Sequence, residues 1–224
     1  MKNNIISLSG GKDSTAMLLM MLERKEPIHS VVFFDTGWEF PEMYDHIKKL
    51  QSRIDIEIKT IQPRKKFNDL LQKYRWPDAM RRWCTAEKRD AIAKYSHSIK
   101  NAVECVGYAY DEQHRTAIKP RGKRIMRYPL IEYGITETGA LKYCSDNGFD
   151  WGGLYKLFSR VSCFCCPLQR IGELNTLRKF KPKLWKRILK MDKNLDDNRG
   201  FRGYKTVHDL DRRFAEEDRQ MELF

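Results

Sequence analysis

The sequence predicts an α/β protein, a doubly wound parallel sheet that carries a helical, cysteine-containing C-terminal extension. Three observations predict it. Short apolar runs alternate with stretches of helical periodicity through the first half of the chain, the pattern of parallel strands joined by crossover helices. A glycine-rich turn, Ser9-Gly10-Gly11-Lys12-Asp13-Ser14, separates the first apolar run from the first helical stretch. The 224 residues suffice for one good-sized α/β domain plus an appendage.

Asn4 to Leu8 reads as the first strand, and its exit into the glycine turn reads as a phosphate site. Two glycines let the backbone turn so that successive N–H groups face one anion, and the N-terminus of the following helix, Ser14 to Lys25, adds its positive dipole end. A strand at Ser30 to Asp35 leads to a helix at Pro41 to Arg53, which starts on a proline, a residue favoured at the first helical position. Asp55 to Ile61 and Ala102 to Tyr108 are the remaining strands, with helices at Phe67 to Tyr74 and Ala86 to Ser98 between them. After Gly107 the regularity fades into a basic, loop-like segment; helical patterning returns at Glu137 to Asn147, Glu173 to Lys190 and Val207 to Met221. No repeat, low-complexity tract or clean linker divides the chain. Residues 1–130 are expected to form the nucleotide-binding α/β domain, with residues 131–224 a helical region packed on it.

The net charge is +13. Arg115, Lys119, Arg121, Lys123, Arg124 and Arg127 form one basic group, and a second, Arg178 to Lys190, is interleaved with Phe180 and Trp185. Such patches suit a nucleic-acid backbone with base stacking; the alternative is a solvated helix face plus residues that hold a small anionic substrate. No apolar leader and no apolar run of membrane-spanning length appears, so a cytoplasmic protein is expected. Six cysteines are then expected to be free, metal-bound or redox-active rather than paired.

A Walker A loop would need a glycine at the position of Ile6 and a hydroxyl residue at Asp13. Ser9 to Ser14 instead resembles the PP-loop of the ATP pyrophosphatases, which hold the pyrophosphate of ATP while its α-phosphate is attacked. Asp35-Thr36-Gly37 followed by Glu39-Phe40-Pro41-Glu42, then Arg82-Trp83-Cys84-Thr85 with Lys88, Gly107 with Glu112 and Arg115, Tyr128-Pro129-Leu130, Trp151, Leu154-Tyr155 and Cys163 to Pro167 extend the likeness. Together they resemble the PAPS reductase family of adenine nucleotide α-hydrolase-like, Rossmann-like proteins, nearer to its iron–sulfur, DNA-phosphorothioation-like members than to a stand-alone reductase. The family's reductases carry an arginine shortly after the substrate-strand glycine, where this chain has Tyr108 and Ala109. They also use a nucleophilic cysteine near the C-terminus, and here no cysteine follows Cys166.

Cys163-Phe164-Cys165-Cys166 and Cys84 are candidate metal ligands. Four thiolates suit a [4Fe-4S] cluster, with zinc or unligated thiols as alternatives, and three rather than four of them suffice if one stays free as a sulfur carrier. Cys105 and Cys144 read as ordinary buried residues. The resemblance implies an enzyme with Ser9, Gly10, Gly11, Lys12, Asp13, Ser14, Asp35, Gly37 and Gly107 around ATP, Mg²⁺ near Asp13, and Lys12, Asp13, Lys88 and Arg115 as catalytic residues. Asp35 is read as a ribose or adenine partner, or else as the cap of the helix that follows. The expected activity is adenylation of an acceptor, DNA or tRNA, for iron–sulfur-assisted sulfur transfer. A cysteine desulfurase or other thiol donor and a homodimer are the expected partners. Sulfonucleotide reduction and non-catalytic nucleotide binding are the alternatives.

Overall fold

The computed structural model describes residues 2–117, 124–195, 200–203 and 205–221. Lys119, Arg121 and Lys123 of the first basic group lie outside the described residues. The chain runs β1 (Asn3–Leu8), α1 (Lys12–Glu23), β2 (Ser30–Phe34), α2 (Pro41–Gln51), β3 (Ile58–Ile61), α3 (Phe67–Tyr74), α4 (Trp83–His97), β4 (Ala102–Val106) and β5 (Ile125–Arg127). The helical region follows with α5 (Pro129–Glu132), α6 (Glu137–Asp146), α7 (Leu154–Leu157), α8 (Ile171–Phe180), α9 (Pro182–Lys193) and α10 (Val207–Met221).

The strands form one parallel sheet in the order β3-β2-β1-β4-β5. Every residue of β2 is buried, as a strand covered by helices on both faces requires. Chain direction across the sheet reverses between β1 and β4, with Ile5 registered against Ser30 on one side and Glu104 on the other. The carboxyl ends of those two strands therefore define the crevice where an open parallel sheet holds its ligand.

Several segments differ from the sequence reading: β3 starts at Ile58 rather than Asp55, β4 ends at Val106 rather than Tyr108, and the short helices α5 and α7 lie outside the expected ones. The stretch Glu173 to Lys190 is not one helix but two, α8 and α9, because Pro182 cannot continue a helix and Lys181 leaves helical geometry. The loop-like segment after Gly107 contains a 3₁₀ turn, Tyr110–Ala117, and the edge strand β5, whose three residues are too few for a period to show. Cys105 and Cys144 are fully buried, as expected.

The helical region packs against the carboxyl end of β1, where Trp151 and Tyr155 bond to the backbone of Gly10 and Lys12. Edge-on aromatic contacts join the two parts: Trp76 meets Phe201 at 4.8 Å and Phe40 meets Phe164 at 6.4 Å. Edge contacts of this kind add roughly 0.5–1.5 kcal/mol each beyond area burial. Among the described residues no helix is long and apolar enough to cross a membrane.

Candidate functional site

At the end of β1 the chain turns through Gly10, whose φ of +79° lies in the left-handed region. That backbone conformation favours glycine, and a Cβ there would also press on the Met43 side chain. Gly107, at the exit of β4, lies so close to α1 that a Cβ would stand 2.9 Å from the Ser14 Cα. The first turn of α1 is thus pressed between the ends of β1 and β4, at the point where the strand order reverses.

Hydrogen bonds inside the loop hold its shape. The Ser9 N–H donates to Ser14 Oγ at 3.1 Å, the two serine hydroxyls stand 2.9 Å apart, and the Ser14 hydroxyl donates to the Gly11 carbonyl at 3.1 Å. Outside groups complete the support. The Trp151 indole N–H donates to the Gly10 carbonyl at 2.7 Å, and the Lys12 N–H donates to Tyr155 Oη at 2.8 Å. His46, buried on α2, stacks on Trp151 at 4.4 Å and shares a 3.0 Å hydrogen bond with Thr15. Burial, helped by Lys49, lowers the His46 pKa to about 4, so the imidazole is neutral. His46 escaped the sequence reading, although its place with Met43 and Leu50 on the buried face of α2 was a usable signal.

The Lys12 ammonium pairs with Asp13 at 3.0 Å and with Glu137 at 2.6 Å. Burial works against its charge, and the two carboxylates overturn that penalty, holding the group above its ordinary pKa. Burial raises the Asp13 carboxyl; Lys12 offsets this in part, and Glu137 and Glu112 add to it. Glu137, which begins α6, is a residue the sequence reading missed.

Asp35 does not cap α2, whose N-cap is Phe40. Its carboxylate accepts the Gly37 N–H at 2.8 Å and the Tyr44 hydroxyl at 2.8 Å, and it borders a cleft of about 260 Å³ that Lys66, Asn68 and Arg187 also line. Gly37, at a φ of +73°, makes the turn that forms this rim. Lys88 lies within electrostatic reach of Glu39. Arg115 pairs with Glu112 at 2.6 Å and lies over the Tyr108 ring. Among the described residues neither Lys88 nor Arg115 bonds to the glycine loop. The Arg178 to Lys190 group is not one free basic face: Arg178 and Lys179 pair with Asp218, Arg178 also with Asp211, and Lys181 with Glu42. Trp185 from the same group is core, whereas Phe180 is 61% exposed.

The cysteine loop is stitched to the exit of β2. Glu39 and Cys163 form an antiparallel bridge, and the Phe164 N–H donates to the Trp38 carbonyl at 2.9 Å. The Cys163 thiol lies 3.7 Å from Thr36 Oγ1 and 3.9 Å from Glu39 Oε1. Burial pushes the Cys163 and Cys165 thiols well above their ordinary pKa, and raises Cys84 and Cys166 as well. Cys84, in the first turn of α4, lies within electrostatic reach of Cys166 and Arg82. As donors, four neighbouring thiols beside Arg82, Arg160 and Arg187 fit an iron–sulfur cluster. Their side chains are not drawn together, since among the described residues no three Cys, His, Asp or Glu side chains form a metal-holding group.

The two loops meet. The carbonyl of Val161, two residues before Cys163, approaches to 3.6 Å from the point where a Gly11 Cβ would stand.

Known proteins share this architecture. A phosphoadenylyl-sulfate reductase from Candida auris, solved as a phosphate complex, superposes over 73% of this chain and 82% of its own with a TM-score of 0.54 and 15% identity, a likeness of fold. Two uncharacterized proteins of Methanocaldococcus jannaschii are 27% and 26% identical, each over 82% of this chain. The chain spans only 40% and 47% of their lengths. The phosphoadenosine phosphosulfate reductase domain model matches residues 3–169, three quarters of the sequence and the whole span from β1 through the cysteine loop, and the chain belongs to that family.

Proposed function

We propose that this chain is a PP-loop ATP pyrophosphatase that adenylates an acceptor, a nucleic acid, for iron–sulfur-assisted sulfur transfer. The observation that supports this reading is that the Val161 carbonyl, two residues before Cys163, lies beside Gly11, so the segment that bears the cysteines adjoins the glycine loop.

In this reading the pyrophosphate of ATP lies on the N–H groups of Gly10 to Ser14, with adenosine in the cleft beside Asp35 and Gly37. The pocket around Lys12 carries two carboxylates against one ammonium, so a polyanion binds well only with a cation. Mg²⁺ at Asp13 meets that need and releases Lys12 to the phosphates. An acceptor oxygen attacks the α-phosphorus, the bond to pyrophosphate breaks, and the acceptor becomes an adenylate. Lys12 and the loop N–H groups stabilise the charge that develops on the leaving pyrophosphate. A hydrosulfide then displaces AMP, forming the carbon–sulfur or phosphorus–sulfur bond as the bond to the AMP oxygen breaks. Lys88 and Arg115 hold the anionic acceptor. Three of Cys84, Cys163, Cys165 and Cys166 would hold a [4Fe-4S] cluster, which would then supply a sulfide-binding site while the fourth thiol stays free as a sulfur carrier. A persulfide donor such as a cysteine desulfurase is the source of sulfur, and an external thiol reduces its outer sulfur to hydrosulfide, ending as a disulfide.

Sulfonucleotide reduction is the second reading, favoured by the family to which the chain belongs. Incubation of anaerobically purified protein with ATP, Mg²⁺ and an oligonucleotide tests the first: pyrophosphate release that depends on both is expected. Sulfite release from a sulfonucleotide in the presence of a thiol, without pyrophosphate release from ATP, would establish the second. Iron and acid-labile sulfide analysis on the same sample distinguishes a cluster from zinc.

A further inference from the structure

Beside the phosphate loop stands a group of side chains that binding ATP does not use. Tyr108 and Tyr128 lie at the carboxyl ends of the neighbouring strands β4 and β5, and their rings stack at 5.5 Å with planes 7° apart. At that separation two nearly parallel rings are offset, the favoured aromatic geometry, which leaves part of each face uncovered. The Arg115 guanidinium sits 4.1 Å from the Tyr108 centroid, held there by Glu112. Neither ring belongs to the buried core, and Tyr110, two residues after Tyr108, is 49% exposed. Among the described residues neither Tyr108 nor Tyr128 uses its hydroxyl in a hydrogen bond, so the rings are not kept there as polar struts.

The group is rigidly tied to the phosphate loop. Tyr108 follows Gly107, which touches Ser14. The 3₁₀ turn that carries Arg115 is pinned to α6 and the residues before it by the Tyr110 N–H donating to the Ile135 carbonyl at 2.7 Å and by the Glu137 N–H donating to Asp111 at 3.0 Å. A flat ring seated on these tyrosines would lie beside the first turn of α1, where Gly107 touches Ser14. A cation alone would suit any small anion; two stacked phenols capped by a guanidinium suit a flat, polarizable ring with a phosphate attached.

We infer that Tyr108, Tyr128 and Arg115 form a stacking platform for an unpaired nucleobase of a polynucleotide acceptor. The inference rests on the reading of the acceptor as nucleic acid and assigns the residues that select it.

Fluorescence anisotropy of the full chain with labelled oligo(dT), oligo(U) and an abasic strand of equal length tests it. The base-bearing strands are expected to bind more tightly than the abasic one, and the tighter of the two identifies DNA or RNA. Tyr108→Ala should weaken binding of base-bearing strands about tenfold, in line with the loss of one stacked base, while binding of the abasic strand stays unchanged. Tyr108→Phe should retain wild-type affinity. Tyr128→Leu serves as a second variant, and a melting curve on each confirms the fold. Equal binding of abasic and base-bearing strands, wild-type affinity in both Tyr108→Ala and Tyr128→Leu, or equally tight competition by a free mononucleotide would each overturn the platform. Lys12→Ala separates the two readings: it should lose ATP binding and keep oligonucleotide binding.

Discussion

The glycine loop and the cysteine loop face each other across the contact of Gly11 with Val161, yet they are built by opposite means. The first draws on six consecutive residues and presents mainly backbone, fixed by Gly10 and by hydrogen bonds among Ser9, Gly11 and Ser14. The second gathers side chains from the start of α4 and the segment before α8, and holds Cys163 against Glu39 and Thr36. A backbone site is complete once its local fold forms. A side-chain site depends on every element that brings its members together, so single substitutions should act differently on the two.

The largest effect is expected at the glycine loop. Lys12→Ala should lower ATP-dependent pyrophosphate release by about 10²–10³-fold, the scale for removing a charged stabiliser of the leaving group, with little change in melting temperature. Retained turnover would refute the phosphate-loop assignment. At the cysteine loop, Cys166→Ser and Cys84→Ser should each lose iron from anaerobically purified protein while ATP binding persists; unchanged iron removes that residue from the ligand set.

Acid should strike the support of the glycine loop. The pKa of His46 falls from 6.5 to about 4 on folding, so the unfolded chain takes up the proton first as pH drops. The contribution of neutral His46 is complete above pH 6.5 and is lost on the way down to pH 4, a change on the order of 2–3 kcal/mol. Chemical denaturation across that range measures it, and His46→Gln should flatten this acid limb. A comparable effect, about 1–3 kcal/mol, is expected for Trp151→Phe, which leaves the Gly10 carbonyl without its donor. The Michaelis constant for ATP should rise in the same variant, and calorimetry with steady-state kinetics reads both.

The smallest effect sharpens the comparison most. Glu137→Gln removes one of two carboxylates that hold Lys12, so ATP should bind a few-fold tighter by titration calorimetry. Weaker binding would mark Glu137 as a ligand of the magnesium ion instead.

Much of the fold was legible because it follows from local periodicity. The first strand, the proline-started α2, and α3 and α10 stand where the pattern puts them. The division of α8 from α9 was also written in the sequence, at Pro182, and went unread because helical spacing continues across it. The strand β5 gave too short a signal and exists through its pairing with β4. In the site, Ser9 to Ser14 was legible and Glu137, Trp151, Tyr155 and His46 in their supporting roles were not. Each of those reaches the loop from an element remote in sequence.

The sequence by itself determined the alternating α/β order, the glycine turn and the set of thiols, since all three rest on residue type and on neighbours within a few positions. Tertiary structure alone decided that β4 returns beside β1, that the helical region closes over Gly10 and Lys12, and that Cys163 meets Glu39. Those outcomes depend on burial of apolar faces between remote segments, such as Trp38 against Trp83 and Phe40 against Phe158, and no local pattern encodes which faces will meet.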